Sequence, residues 1–292
     1  MMVSPSIYNA CQEASVPTVQ TLHNYRLLCP SATFFRNNRV CEDCRSHGLW
    51  RGIWHGCYRS SRAQTSAVAL MLAIHRWRRT WASAVDRFVA LSRFSRQKFV
   101  EAGMPAAKIS VKPNFLFTDP GCRAGRGEYA LFVGRLSPEK GVLTLLEAWR
   151  RLRVDIPFQI AGDGPELELL QTKLMEMRLP HVRFLGQLPH EEVIAALKGA
   201  RWLIVTSQLY ENFPMTIVEA FACGVPVIAS QLGAMLEIIE DGRDSISSLA
   251  MPATLLRKSN GLGLTPRRWP RWAAQPEPST RLSTPPSGTT RC

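Results

Sequence analysis

The sequence predicts an α/β protein of two parallel-sheet halves, the second regular and the first less so, with a disordered C-terminal tail. Three observations carry this. Residues 128–244 alternate short apolar runs with segments of helical period on short loops, the pattern of a parallel sheet with right-handed crossovers. The same pattern returns more loosely before residue 115. The last 48 residues hold seven prolines, many Ser, Thr and Arg, and no stable period of 2 or 3.6.

Taken in order, residues 17–22 read as a strand ending at His23, and residues 87–91 as another. Ser92 stands where it can cap a helix running toward Ala102, and Gly103 stops that helix before a strand at 109–112. Between these lie a Cys-rich loop, 29–57, and one amphipathic helix, roughly 65–84. Residues 116–127 read as a linker. Tyr129 to Val133 is a buried strand entering a Gly-Arg loop, followed by a helical stretch around Val142 to Trp149. Strands at 158–161, 182–185, 202–205 and 225–229 then alternate with helices at 166–177, 191–198 and 216–223.

Composition narrows the function classes. The longest uninterrupted apolar run is eight residues, Ala67 to Ile74, against the roughly 20 that a membrane span needs. The first residues have neither a basic region nor an apolar one, so no signal peptide is expected. The expectation is a cytoplasmic chain, and its eight cysteines read as thiols or metal ligands rather than disulfides. The net charge of +13 is uneven: +10 in residues 1–100, −3 in 101–244 and +6 in 245–292. A basic face favours phosphate-bearing ligands, anionic headgroups or nucleic acid; no nucleic-acid motif is present, so no specific nucleic-acid partner is expected. The basic, Trp-bearing end of the 65–84 helix reads either as a core helix with a charged end or as a peripheral contact with an anionic membrane, at the inner face.

Four features of 128–244 carry the chemistry. In Gly134-Arg-Leu-Ser-Pro-Glu-Lys-Gly141, a strand end runs into a helix and one loop carries Arg135 and Lys140, two cations that suit a diphosphate. Gly162-Asp-Gly164-Pro-Glu166 is a tight turn at the next strand end. Glu211 and Glu219 stand eight apart around a helix start. Asn212, Phe213, Pro214 and Met215 open that helix, so its free N–H groups can hold an anion, and Glu219 can accept from a diol such as ribose. The fourth feature, residues 220–229, packs the helix back onto a strand. Each alone is ordinary; together they fall at carboxyl ends of strands, where such sheets bind ligands.

Cys29, Cys41, Cys44 and Cys57 set four thiols in 29 residues around one Cys-x-x-Cys pair. They read either as a structural zinc set, with His47 and His55 as substitutes, or as buried, unligated thiols.

These motifs, in this order, resemble the nucleotide-sugar-binding domain of group 1 glycosyltransferases, the glycosyltransferase family 4 type. The resemblance runs over about residues 4–244 and includes Thr21-Leu-His-Asn-Tyr-Arg26 and Val85-Asp-Arg-Phe-Val-Ala-Leu-Ser92 on the acceptor side. It implies a GT-B fold of two Rossmann-like halves: a partial acceptor-side domain at 1–115, the linker, a donor domain at 128–244 and an irregular tail at 245–292. It implies a retaining transfer of a sugar from a nucleoside-diphosphate sugar to a polysaccharide or glycolipid acceptor, with no cofactor required. By the same resemblance Arg135, Lys140 and the 213–215 helix start would bind the donor diphosphate, Glu219, Gly162 and Gly164 the nucleoside, and Glu211 the transferred sugar, facing His23 as the active-site histidine.

Two departures qualify what the resemblance implies. Roughly 80 to 100 residues of opening β/α units lack a counterpart, by analogy with a complete doubly wound half. Similarity also stops near Asp244, and a frameshift after it would account for the tail. The expectation is therefore a chain that binds nucleotide and transfers little, the alternative function being an inactive fragment or pseudo-enzyme that only binds.

Overall fold

The computed structural model describes residues 5–151 and 156–239, with the backbone of 246–247. Apart from 246–247, the tail in which disorder and a frameshift are expected lies outside the described residues.

The first half begins with α1 (Ser6–Glu13) and strand β1 (Val19–Leu22). The Cys-rich stretch folds into a hairpin, β2 (Phe35–Arg36) with β3 (Arg39–Val40), and two short helices, α2 (Asp43–Ser46) and α3 (Trp50–Trp54). Then come α4 (Arg62–Trp77), α5 (Thr80–Ala84), β4 (Arg87–Ala90), α6 (Arg93–Glu101) and β5 (Ile109–Val111). Strands β1, β4 and β5 form a three-stranded parallel sheet in that order. Ser61 Oγ accepts from the Gln64 N–H at 3.3 Å and Ser92 Oγ from the Ser95 N–H at 3.0 Å, satisfying first-turn donors of α4 and α6.

The single helix expected over 65–84 is two. Arg79 takes a left-handed conformation, φ 53°, which ends α4 and starts α5 at a new angle. His75 Nδ1 and Thr80 Oγ1, 3.0 Å apart, bridge the break. The turn also carries Trp81 into the core, where a straight helix would not place it; it is 6% exposed.

The second half runs β6 (Tyr129–Val133), α7 (Val142–Arg151), β7 (Phe158–Ala161), α8 (Leu167–Met177), β8 (Val182–Gly186), α9 (His190–Gly199), β9 (Ala200–Val205), α10 (Met215–Ala222), β10 (Val227–Ser230), α11 (Met235–Ile238) and β11 (Ile246–Ser247). Its six strands are all parallel, in the order β11-β10-β9-β6-β7-β8. Counted from β6 this is the doubly wound order, which reverses direction between β6 and β9. A crevice therefore opens at the carboxyl ends of those two strands.

Side-chain alternation splits the core into two layers. Ala130 and Phe132 of β6, with Trp202 and Ile204 of β9, pack under α7 and α8. Leu131, Leu203 and Val205 pack under α9 and α10. Each fully buried Leu or Ile contributes roughly 1.5–3 kcal/mol. The first half has one core, built on Leu22, Tyr25, Phe34, Leu72, Phe88 and Phe99.

Long-range polar contacts join the halves. The Glu237 carboxylate accepts from the N–H groups of Arg93 and Phe94, each at 3.0 Å, at the start of α6. Tyr210 Oη donates to Glu42 Oε1 at 2.9 Å, and Asn114 Nδ2 to the Phe213 carbonyl at 2.8 Å. Tyr210 also meets the Phe94 ring with centroids 4.8 Å apart.

Candidate functional site

The crevice is lined by two loops, 134–141 after β6 and 206–214 after β9, and they are tied to each other. Thr206 Oγ1 donates to the Lys140 carbonyl at 2.6 Å, and the Gln208 N–H to the Glu139 carbonyl at 2.8 Å. Gly141 sits at φ 67°, and a Cβ there would stand 2.7 Å from the Thr206 carbonyl oxygen, so the close approach demands glycine.

This fixes Lys140 opposite Glu211. Lys140 Nζ reaches Glu211 Oε1 at 2.5 Å, and the buried Ser207 hydroxyl donates to the same oxygen at 2.5 Å. The pair is half-sheltered, with side-chain exposures of 26% and 14%. Arg135 is exposed and has no ion-pair partner among the described residues. One cation of the loop thus faces solvent and the other balances a carboxylate.

The segment after Glu211 turns into α10. Pro214 is its N-cap, no side chain caps it, and its first turn carries no acid, so its leading N–H groups keep their capacity for an anion. The Phe213 ring is core, 7% exposed, while Met215 is 38% exposed at the helix start. Glu219, one turn in, is 7% exposed. Burial raises its carboxyl above the ordinary range, and His190, whose Nδ1 lies 3.7 Å from Glu219 Oε1, works in the opposite direction. A largely buried carboxyl in such a place is a ready hydrogen-bond partner for hydroxyl groups.

The other wall comes from the first half. His23 follows β1 and is exposed, and Asn212, the neighbour of Glu211, donates from Nδ2 to the His23 carbonyl at 2.6 Å. The histidine is thereby brought beside the Glu211 loop across 189 residues of chain.

Gly162 and Gly164 have a demand of their own. At Gly162, φ 144°, a Cβ would overlap the Gly134 carbonyl oxygen, and at Gly164 it would overlap that of Leu136. The Leu136 N–H donates to the Asp163 carbonyl at 2.9 Å and the Glu166 N–H to that of Leu136 at 3.0 Å. These glycines let the β7 loop lie against the Arg135 loop, which is reason enough for them.

Among the described residues no three His, Cys, Asp or Glu side chains are grouped so as to hold an ion. Cys29 and Cys44 are buried side by side, and a hydrogen bond from the Cys44 thiol, outweighing burial, holds the Cys29 thiol below its ordinary range. Cys41 interacts with the Arg36 guanidinium instead.

Sequence reasoning placed Asn212 at the helix start without its contact to His23, and missed Ser207, Tyr210 and His190. His190 alone left a signal, standing at the start of a helix after a strand and a proline. Tyr210 acts through Glu42, 168 residues away, and Ser207, four residues before Glu211, belongs to no motif the sequence marks.

Residues 123–248 match the family model described as glycosyl transferases group 1. An uncharacterized glycosyltransferase of Methanocaldococcus jannaschii is 34% identical over 164 residues, 55% of this chain and 44% of that protein. A GDP-mannose-dependent phosphatidylinositol monomannoside mannosyltransferase of Mycolicibacterium smegmatis is 30% identical over 222 residues, 63% of this chain and 57% of that one. The chain thus spans about half the length of these relatives. Among solved structures, HepE of Anabaena, crystallised with UDP and glucose, superposes with a TM-score of 0.63 at 20% identity, over 86% of this chain and 63% of that one. That likeness gives the GT-B arrangement of two α/β halves. Residues 123–248 of this chain therefore form a domain of the group 1 glycosyl transferase family.

Proposed function

We propose that the crevice binds a nucleoside-diphosphate sugar and that the chain belongs to a retaining transferase acting on a glycan or glycolipid acceptor. The observation that carries this is the convergence of Arg135, Lys140, Glu211, the uncapped start of α10 and Glu219 at the strand-order reversal, with His23 opposite. A departing diphosphate gains charge as the bond to the sugar breaks. Two cations and a helix N-terminus placed in advance stabilise that charge without a resident metal ion. Glu219 would hold the ribose and Glu211 the sugar, released to it when Lys140 turns to phosphate. HepE, which shares the fold, was crystallised with UDP, and UDP and GDP are the nucleotides to try first.

A second reading, nucleotide binding without transfer, is favoured by the three-stranded first half facing a six-stranded second one. The acceptor wall supplies positioning, worth on the order of 7–11 kcal/mol of a barrier. Transfer of radiolabelled sugar from UDP- and GDP-sugars to lipid and glycan acceptors separates the two. Turnover abolished by Glu211→Ala establishes the first reading. Nucleotide binding without turnover establishes the second.

A further inference from the structure

We propose that the face built by α3 and α4 docks on an anionic lipid surface. On α4, Thr65, Val68, Ala69 and Leu72 are buried in the first-half core. The opposite face carries Ala63, Ala67, Leu70, Ile74 and Trp77, at steps of four and three residues, and all five are exposed. Leu70 is 62% exposed, Ile74 40% and Trp77 82%. The adjoining α3 shows Trp50 at 56% and Trp54 at 62%. This gathers three of the chain's eight tryptophans, uncovered, on one side of one half.

The charge around this stripe selects the occupant. From Cys44 to Val85 the chain has seven arginines and no aspartate or glutamate. Among the described residues no ion pair neutralises Arg51, Arg59, Arg62, Arg76, Arg78 or Arg79. Arg51 and Arg62 lie over the rings of Trp50 and Trp54, 4.9 and 5.5 Å from the centroids, which keeps guanidinium and indole at one level. An apolar stripe for the acyl boundary, indoles at headgroup depth and arginines for lipid phosphates are what an interfacial helix needs. Among the described residues no helix is long and apolar enough to cross a membrane, so α4 would lie in the interface plane. By contrast α8 mixes exposed Leu169 and Met175 with Glu168, Glu176 and Lys173, and has no such field.

The test is co-sedimentation of the full chain with vesicles of phosphatidylcholine alone or mixed with phosphatidylglycerol. The expected result is roughly tenfold or more greater partition onto the anionic vesicles, mostly lost at about 0.5 M salt. The triple variant Leu70→Ser, Ile74→Ser, Trp77→Ser should lower binding roughly tenfold, and Arg78→Gln with Arg79→Gln several-fold. Circular dichroism and unfolding temperature matched to the parent keep the readout on the surface rather than the fold. Equal partition onto both vesicles overturns the proposal. So does unchanged binding by the triple variant, which would place the attraction elsewhere, or a parent dimer that the triple variant dissolves, which would make a second copy the occupant. Binding to duplex DNA but to neither vesicle also overturns it.

Discussion

The two halves use the same β/α pattern to different ends. The second half has six parallel strands with a reversal of order between β6 and β9, and the Lys140–Glu211 pair lies at that reversal. The first half has a three-stranded parallel sheet in unbroken order, and among its described residues that sheet shows no reversal. What it contributes is a wall: His23, the Glu42–Tyr210 contact and the start of α6 held by Glu237. A ligand site needs the switch in order, not merely the alternation that produces a sheet.

Glycine pairs break this comparison most sharply. Gly162→Ala would drive a Cβ into the Gly134 carbonyl at a backbone conformation that other residues avoid, so the cost should be about 3 kcal/mol or more, with loss of nucleotide binding. Gly103→Ala, also at positive φ (89°) but with nothing within 4 Å, should cost only about 1 kcal/mol and leave binding intact. Chemical denaturation of both variants measures the difference.

Glu219→Gln sharpens it further. Removing a charge that burial disfavours should hold or raise stability, while the loss of a charged acceptor for ribose weakens nucleotide binding by about tenfold. Thermal unfolding and calorimetry on one sample would register the opposite signs.

Glu237→Ala tests the wall. It removes two backbone contacts at the start of α6 and should cost about 1 kcal/mol, leaving nucleotide affinity unchanged. A change in affinity would mean that the crevice depends on the first half.

The smallest effect is in pH. Burial opposes charge on Glu42, but hydrogen bonds from Lys98 and Tyr210 and the charges of Lys98 and Arg45 outweigh it and hold the carboxyl below its ordinary range. Tyr210, partly buried and facing that carboxylate, is pushed up to about 12. The stability Glu42 supplies is present above the ordinary carboxylate range and is lost as pH falls through its lowered value. Glu42→Gln should flatten the acid limb of an unfolding-temperature profile.

How far the sequence could be read follows the same divide. Strands β6, β7 and β9 are apolar runs ending in glycine or polar loops, so both place and direction were legible. The two-residue strands β2 and β3 carry no period, and tertiary packing alone defines them. The break at Arg79 was hidden because arginine gives no sign of a left-handed turn. At the site, strand-end placement put Lys140 and Glu211 in one crevice, yet their direct pairing needed the loop contacts of Thr206 and Gln208. The Asn212–His23 and Glu237–α6 contacts join residues 189 and 144 apart, beyond what local pattern records.

The central claim is that the second half binds a nucleoside diphosphate through Arg135 and Lys140. Calorimetric titration of UDP and of GDP into the full chain and into its Arg135→Ala, Lys140→Ala variant tests it most directly. The account predicts binding weakened by roughly 2–4 kcal/mol, about 30- to 1000-fold, with unfolding temperature maintained. Unchanged affinity for each nucleotide that binds the parent, or a parent that binds neither, would contradict it.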